Sequence, residues 1–485
     1  MTLIRKYTGA FLPFIFIFSA SMFRPYDGDL GWHLKYGEYF FKHFSVLREN
    51  TFSTMMADFK WANTSWLTDL ISYFVFETSG FLGLTLLGAL TVTLTFLFFS
   101  KAFKLDYFEK ALIFPIIAYF EIPAIQVSFR GQLISILLLG ILFYILERYQ
   151  ENKSKLIYLV IPLFLLWANL HGQFILGLGL FFIWEILYLF SVYINNRDNL
   201  SQFLKETKLL IIVSFLTLTA TLIHPFGVGV YHDAFLHFGN ENLKSIAEYV
   251  PFRESTASWW NQLIIGALIS VGFLFIFFNG QLKKRFPVFA ILGILYGLSW
   301  IVKRYAWSFY YLAIPFLKPL VYFVRPDSKK YTFMAATVLF LIYISFTAFI
   351  KMPLNQYRDM SWETYCSYYT QCSPKAAEFI IKNNLNKKDL MTVYDFGGWL
   401  IWNYPQIKPS IDGRMHLWID KNGYSAFSDY YGYEQNLKDI NDSSYNTIFM
   451  SKTKPLYNQL INEVQKGRWQ LAYNDSVSGI FIRKN

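Results

Sequence analysis

Two carboxylates separated by one glycine, with a histidine four residues beyond the second, stand out in Arg24-Pro25-Tyr26-Asp27-Gly28-Asp29-Leu30-Gly31-Trp32-His33. Such groups can hold a divalent cation through oxygen and imidazole. Alternatively, one carboxylate takes the proton of a hydroxyl while the other orients it. The same residues can do no more than build an Asx-rich turn, with Asp29 as N-cap of an amphipathic helix over 32–43. Composition alone favours that plainer reading.

Further ionisable residues lie in short polar segments between apolar runs. They are Glu121, Arg130 in Phe129-Arg130-Gly131-Gln132, His171 in Asn169-Leu170-His171-Gly172, His224 before Pro225, Glu248 in Glu248-Tyr249-Val250-Pro251, and the corner Lys303-Arg304-Tyr305. A cation at such a corner can grip a phosphate, an arginine in bidentate fashion. The plainer alternatives are snorkelling to headgroups for Lys303 and a satisfied helix-end histidine for His171. Near the C-terminus, Val393-Tyr394-Asp395-Phe396-Gly397-Gly398-Trp399 and Ile411-Asp412-Gly413-Arg414 read as turns after strands. They can offer aromatic and acidic surface to a sugar or peptide, or serve only as hairpin turns. No Cys-x-x-Cys or His-Glu-x-x-His motif occurs, so metal ligation stays unassigned.

The elements that position these residues belong to a membrane protein. Of 485 residues 16% are charged, well below the usual quarter, and 54% are hydrophobic, with 51 Phe, 34 Tyr and 14 Trp. This excludes a soluble enzyme, a disordered chain and a disulfide framework. Apolar runs centre on 9–23, 81–99, 111–127, 133–147, 157–170, 174–194, 209–223, 263–278, 286–301, 305–323 and 333–350, about eleven spanning helices. The run 66–77 is too short to span and reads as an interfacial helix. With the N-terminus inside, every inner segment is basic: Arg5/Lys6, Lys101/Lys104/Lys110, Arg148/Lys153/Lys155, Arg197/Lys205/Lys208, Lys283/Lys284/Arg285 and Arg325/Lys329/Lys330. The net charge of +11 is therefore orientation charge under the positive-inside rule and points to no nucleic-acid partner.

This arrangement places 24–65, 224–260 and the tail after Lys351 outside. The domains expected are a membrane domain over 1–350, with 24–80 as its first outer loop, and a small extracytoplasmic α/β domain over 351–485. In the tail, Ser373-Pro374 starts a helix over 376–383, 391–394 and 410–411 read as strands, and 455–465 reads as a helix stopped by Gly467. The segments 471–473 and 480–483 read as a closing hairpin. Cys366 and Cys372 lie on the oxidising side, where a local disulfide and two free thiols are both open.

An acidic pair directly after the first membrane helix, a long outer loop with an interfacial helix, many spans and an outer C-terminal domain together resemble the membrane-embedded C-type glycosyltransferases. The chain is similar, nearly end to end, to a bacterial group of uncharacterised glycosyltransferases. That group carries Asp-x-Asp-hydrophobic-x-Trp-His-Leu-x-x-Gly-Glu (27–38 here), Trp-x-x-x-x-Trp-Leu (61–67), Trp-Ala-Asn-Leu-His-Gly (167–172) and Gly-Gly-x-Leu-Ile-Trp followed by Ile-Asp-Gly-Arg (397–414). Gly131, where a proline often follows the arginine, and His224-Pro225, where Asn-Pro is usual, depart from the pattern. Tyr394-Asp395-Phe396-Gly397 shows a shorter similarity to the Trp-Trp-Asp-Tyr-Gly signature of oligosaccharyltransferase catalytic subunits, without its paired tryptophans.

The resemblance implies a multi-pass enzyme of the plasma (inner) membrane. It moves a sugar, with inversion, from a polyprenyl-phosphate donor to a glycan, lipid or protein acceptor on the outer face. It implies Asp29 or Asp27 as base, with Asp29 preferred, and Arg130 and Arg304 as phosphate grips. His171 would donate to the phosphate, and Glu121 and Glu248 would complete an acidic cluster or bind a divalent cation such as magnesium or manganese. His33 and Asp395 complete the substrate-binding set. The alternatives are a lipid-linked oligosaccharide ligase or polymerase, which has no need of the early Asp pair, and a non-enzymatic transporter or scaffold. Against transport stands the lack of Gly/Pro-broken span pairs.

Overall fold

In the computed structural model the described residues are 2–195, 200–237, 239–254, 259–280, 282–351, 355–367, 372–387 and 389–484. They are mostly helical, with one small sheet near the C-terminus. Arg197 of the inner-loop reading lies outside them.

Among the described residues, five helices are long and apolar enough to cross a membrane: Trp66–Ala102, Gly131–Asn152, Phe174–Ile194, Trp259–Phe278 and Lys329–Ile350. Shorter apolar helices cover Tyr7–Ala20, Lys155–Leu170 and Phe286–Ile301. Local chemistry explains where expected runs break. The segment 111–127 is a helix Tyr107–Phe120 followed by the short Ile122–Ile125, with Pro123 at the start of the second. The segment 305–323 divides into Ala306–Leu312 and Ile314–Tyr322, because Pro315 lacks the N–H that would continue the ladder. The interfacial run and the following span form Trp66–Ala102, interrupted at Gly80, whose φ of 59° is outside the helical region and suits glycine.

The chain forms two compact units. The helical unit comprises Met1–Arg24, Leu84–Val228 and Lys244–Tyr357; the mixed unit comprises Pro25–Gly83, Gly229–Leu243 and Arg358–Asn485. The expected first outer loop and the tail thus share one unit. The helical unit has an aromatic core in which Tyr311 meets Phe96 edge-on at 5.2 Å and stacks on Phe99 at 4.9 Å.

The sheet of the mixed unit contains β1 (Leu390–Thr392), β2 (Thr447–Ser451), β3 (Trp469–Asn474) and β4 (Ser478–Arg483), in the order β1-β2-β4-β3. Only β1 and β2 run parallel. The closing hairpin, the helix Pro374–Lys382 capped by Ser373, and the helix Pro455–Gln465 agree with the sequence. Cys366 and Cys372 form a disulfide.

The strand expected at 410–411 does not form. Ser410 and Thr392 instead exchange side-chain and backbone hydrogen bonds of 2.9 and 3.0 Å. The carbonyls of Pro409 and Ser410 accept the N–H groups of Thr54 and Met55. Side chains and a loop have taken the place of a ladder.

Candidate active site

Asp27 and Asp29 precede the helix Leu30–His43 and do different work. Asp27 is buried, and its Oδ1 accepts the Asp29 N–H at 3.0 Å, closing an Asx turn. Its carbonyl accepts the Tyr365 hydroxyl. Asp29 occupies the N-cap position, but its φ/ψ of −87°/−13° is helical and its carboxylate makes no capping hydrogen bond. The cap role expected from the sequence is not played, because an effective cap residue needs extended backbone. The Asp29 carboxylate instead lies against Gly413, where a Cβ would overlap Oδ1.

A close helix crossing holds this geometry. A Cβ on Gly31 would strike the Gly398 carbonyl, and one on Gly398 the carbonyl of Gly28. The helix Gly397–Asn403 therefore packs directly on the start of Leu30–His43. His33 Nδ1 is 2.5 Å from Oδ1 of Asp69, a fully buried carboxylate whose Oδ2 accepts Asn63 Nδ2 at 2.6 Å. Asp69 was not singled out in the sequence. Its one signal is that it stands as a lone acid inside an apolar run.

The Ile411-Asp412-Gly413-Arg414 segment is no hairpin turn. Arg414 Nε and Nη2 donate to the two oxygens of Asp412, each at 2.7 Å, with the two side chains 1% and 0% exposed. Nη2 also donates to Asn50 Oδ1 at 2.9 Å, and the Ser53 hydroxyl donates to Asp412. The guanidinium lies 5.0 to 5.5 Å from the ring centroids of Phe52, Trp418 and Trp61. Burial pushes the Asp412 pKa up, but the charge and hydrogen bonds of Arg414 outweigh it and hold the carboxyl below its ordinary value. Asp395, expected at a ligand surface, forms an ion pair with Lys454 at 2.9 Å, and Lys454 also approaches Glu434 at 3.7 Å.

In the helical unit, Arg304, Glu248 and Arg130 gather about Tyr249. Arg304 donates its backbone N–H to the Glu248 carbonyl at 3.0 Å, and its Nη1 to the Tyr249 hydroxyl at 2.5 Å. Its Nη1 is 3.6 Å from Glu248 Oε2, which accepts Gln132 Nε2 at 3.0 Å. The Arg304 Nε is buried without a hydrogen-bond acceptor. Arg130 acts on Tyr249 through its charge, although burial dominates and raises the phenol's pKa. Gln132 and Tyr249 were visible only as neighbours of the singled-out charges.

His171 packs on Gly131, where a Cβ would lie 2.5 Å from its ring, and its Nδ1 is 2.8 Å from Ser135 Oγ. Glu121 faces Tyr310 and Tyr311; it is fully buried, and neither carboxylate oxygen has a hydrogen-bond partner. His224 Nδ1 accepts the Phe226 N–H at 3.1 Å, and burial pushes its pKa down to about 4.

Among the described residues no three His, Cys, Asp or Glu side chains gather as a cation cage. No protein-family model matches this chain, and no curated protein matches it significantly. The chemistry on offer is a half-buried carboxylate on a rigid support in one unit, and in the other an arginine with an unused N–H beside a carboxylate and an amide.

Proposed function

We propose that this chain is a C-type integral membrane glycosyltransferase with about eleven spans, N-terminus inside and C-terminal domain outside. It transfers a sugar from a polyprenyl-phosphate donor to an acceptor hydroxyl on the outer face of the plasma (inner) membrane. Asp29 takes the hydroxyl proton, the acceptor oxygen bonds to the anomeric carbon with inversion, and the sugar–phosphate C–O bond breaks. The electron pair leaves on the polyprenyl phosphate, for whose charge the family resemblance implies Arg304 and Arg130 as grips. His171 donates to the phosphate, Gln132 holds Glu248 beside Arg304, and His33, tied to Asp69, steadies the helix that carries Asp29. No step is assigned to Glu121 or Asp395. No step is routed through a divalent cation, which enters the assay as an added component.

The observation that carries the reading is the division of labour in the acidic pair. Asp27 is spent on a turn, while Asp29 holds its carboxylate out of the cap it could have made.

The test is sugar transfer from polyprenyl-phosphate hexoses and pentoses in proteoliposomes, with and without magnesium or manganese. Asp29→Asn should lose about 100- to 10,000-fold, the range for a general base. Asp27→Asn should stay near wild type, since an amide oxygen closes the same turn. Full activity of Asp29→Asn would defeat the mechanism and favour a lipid-linked oligosaccharide ligase acting through Arg304, Arg130 and His171. Absence of any transfer favours a transporter or scaffold.

A further inference from the structure

We infer that the Asp412-Gly413-Arg414 turn is a positioning element for Asp29: Gly413 forms the seat of its carboxylate, and the Asp412–Arg414 pair holds that seat still. The inference rests on the reading of Asp29 as base.

Three observations carry it. Gly413 touches Asp29 so closely that a single added methyl would overlap Oδ1, so only glycine leaves the carboxylate where it is. The residues on either side of Gly413 bind each other through two hydrogen bonds of 2.7 Å in a site closed to solvent, braced by Asn50 and Ser53 from the loop after the Leu30–His43 helix. The turn is further fixed on its own side, where the Gly413 carbonyl accepts the Tyr394 hydroxyl at 3.3 Å and lies 2.8 Å from His416 Nδ1. A buried ion pair is a poor way to gain stability, since well-packed apolar residues often do as well or better. It is an effective way to fix a backbone in one place. A carboxylate that must meet a hydroxyl at hydrogen-bond distance needs such a seat, because supporting residues set its position within about half an ångström.

Gly413→Ala tests this. In proteoliposomes, kcat for sugar transfer should fall about 100-fold, the scale of a roughly 1 Å misplacement, with KM for the donor unchanged. Wild-type kcat in Gly413→Ala, in a series where Asp29→Asn is inactive, overturns the inference. A thermal-unfolding cycle on the purified full chain is independent of any activity. Gly413→Ala should lower Tm in the wild-type background and leave it unchanged in Asp29→Ala, where the overlapping atoms are gone. Equal losses in both backgrounds overturn the inference. If Gly413→Ala does not fold, folding of the double variant supports it and joint failure overturns it. If the wild type transfers no sugar from any donor, the glycosyltransferase reading fails, while the cycle still decides whether Gly413 seats Asp29.

Discussion

Arg414→Leu tests the architecture beneath the candidate base. The substitution removes the cation paired with Asp412 and leaves a carboxylate of 0% exposure beside the Ser53 hydroxyl. Removing one partner of a buried pair costs about 3–5 kcal/mol, because the other charge stays behind unpaired. For a unit of this size each kcal/mol lowers Tm by about 2–4 °C, so the expected loss is roughly 6–20 °C. Thermal unfolding followed by tryptophan fluorescence in detergent reads this directly, since Trp32, Trp61, Trp399 and Trp418 all belong to the affected unit. The pH dependence adds a sign. In the wild type the Asp412 carboxyl is held below its ordinary value. Its contribution is therefore complete at neutral pH and disappears as the pH falls through that lowered value. In Arg414→Leu the arginine's charge and its side-chain hydrogen bonds are gone and burial is opposed only by the Ser53 and backbone hydrogen bonds, so the carboxyl's pKa rises from its wild-type position and acid neutralises the stranded charge. The Tm gap between the two proteins should narrow between pH 7 and pH 5. Replacing Asp412 by Leu as well should recover part of the loss. A drop of only a degree or two, or a gap that widens in acid, would refute the argument.

Three further outcomes are expected. Burial holds the pKa of His224 at about 4, below its unfolded value, so the unfolded chain binds the extra proton between about pH 6.5 and 4 and stability falls with acidification across that window. His224→Asn should flatten the Tm-against-pH curve there, and an unchanged slope counts against the assignment. Gly31→Ala places a methyl on the Gly398 carbonyl; at about 1–3 kcal/mol for overpacking it should lower Tm and speed limited proteolysis of the mixed unit, and an unaltered digestion rate rejects the close crossing. Glu121→Met should raise Tm, because the carboxylate it removes is buried without a hydrogen-bond partner and such a group costs stability; a lowered Tm would mean that Glu121 has a partner in the working protein.

The sequence by itself determined what is periodic or local. Long apolar runs announced the membrane helices, because a helix in lipid must be apolar along its whole length. Ser373-Pro374 and Gly467 marked helix ends in the tail because caps are short-range chemistry. The paired acids, Arg130, His171, Glu248 and Arg304 stood out because ionisable groups are scarce in such a chain. Only tertiary structure decided what each acid does. Asp27 and Asp29 are indistinguishable as letters, and contact with Gly413, nearly four hundred residues away, separates a seated carboxylate from a turn former. Asp69 escaped notice and the burial of Asp412 was illegible for the same reason, since a buried charge is tolerated only where partners meet it, and Asn63, Asn50 and Ser53 are brought in by the fold. Glu121 stood out as an acid in a short polar segment, and only the fold shows that it faces tyrosines, because spacing along a chain says which end of a helix a residue occupies and not which neighbour it meets across the bundle.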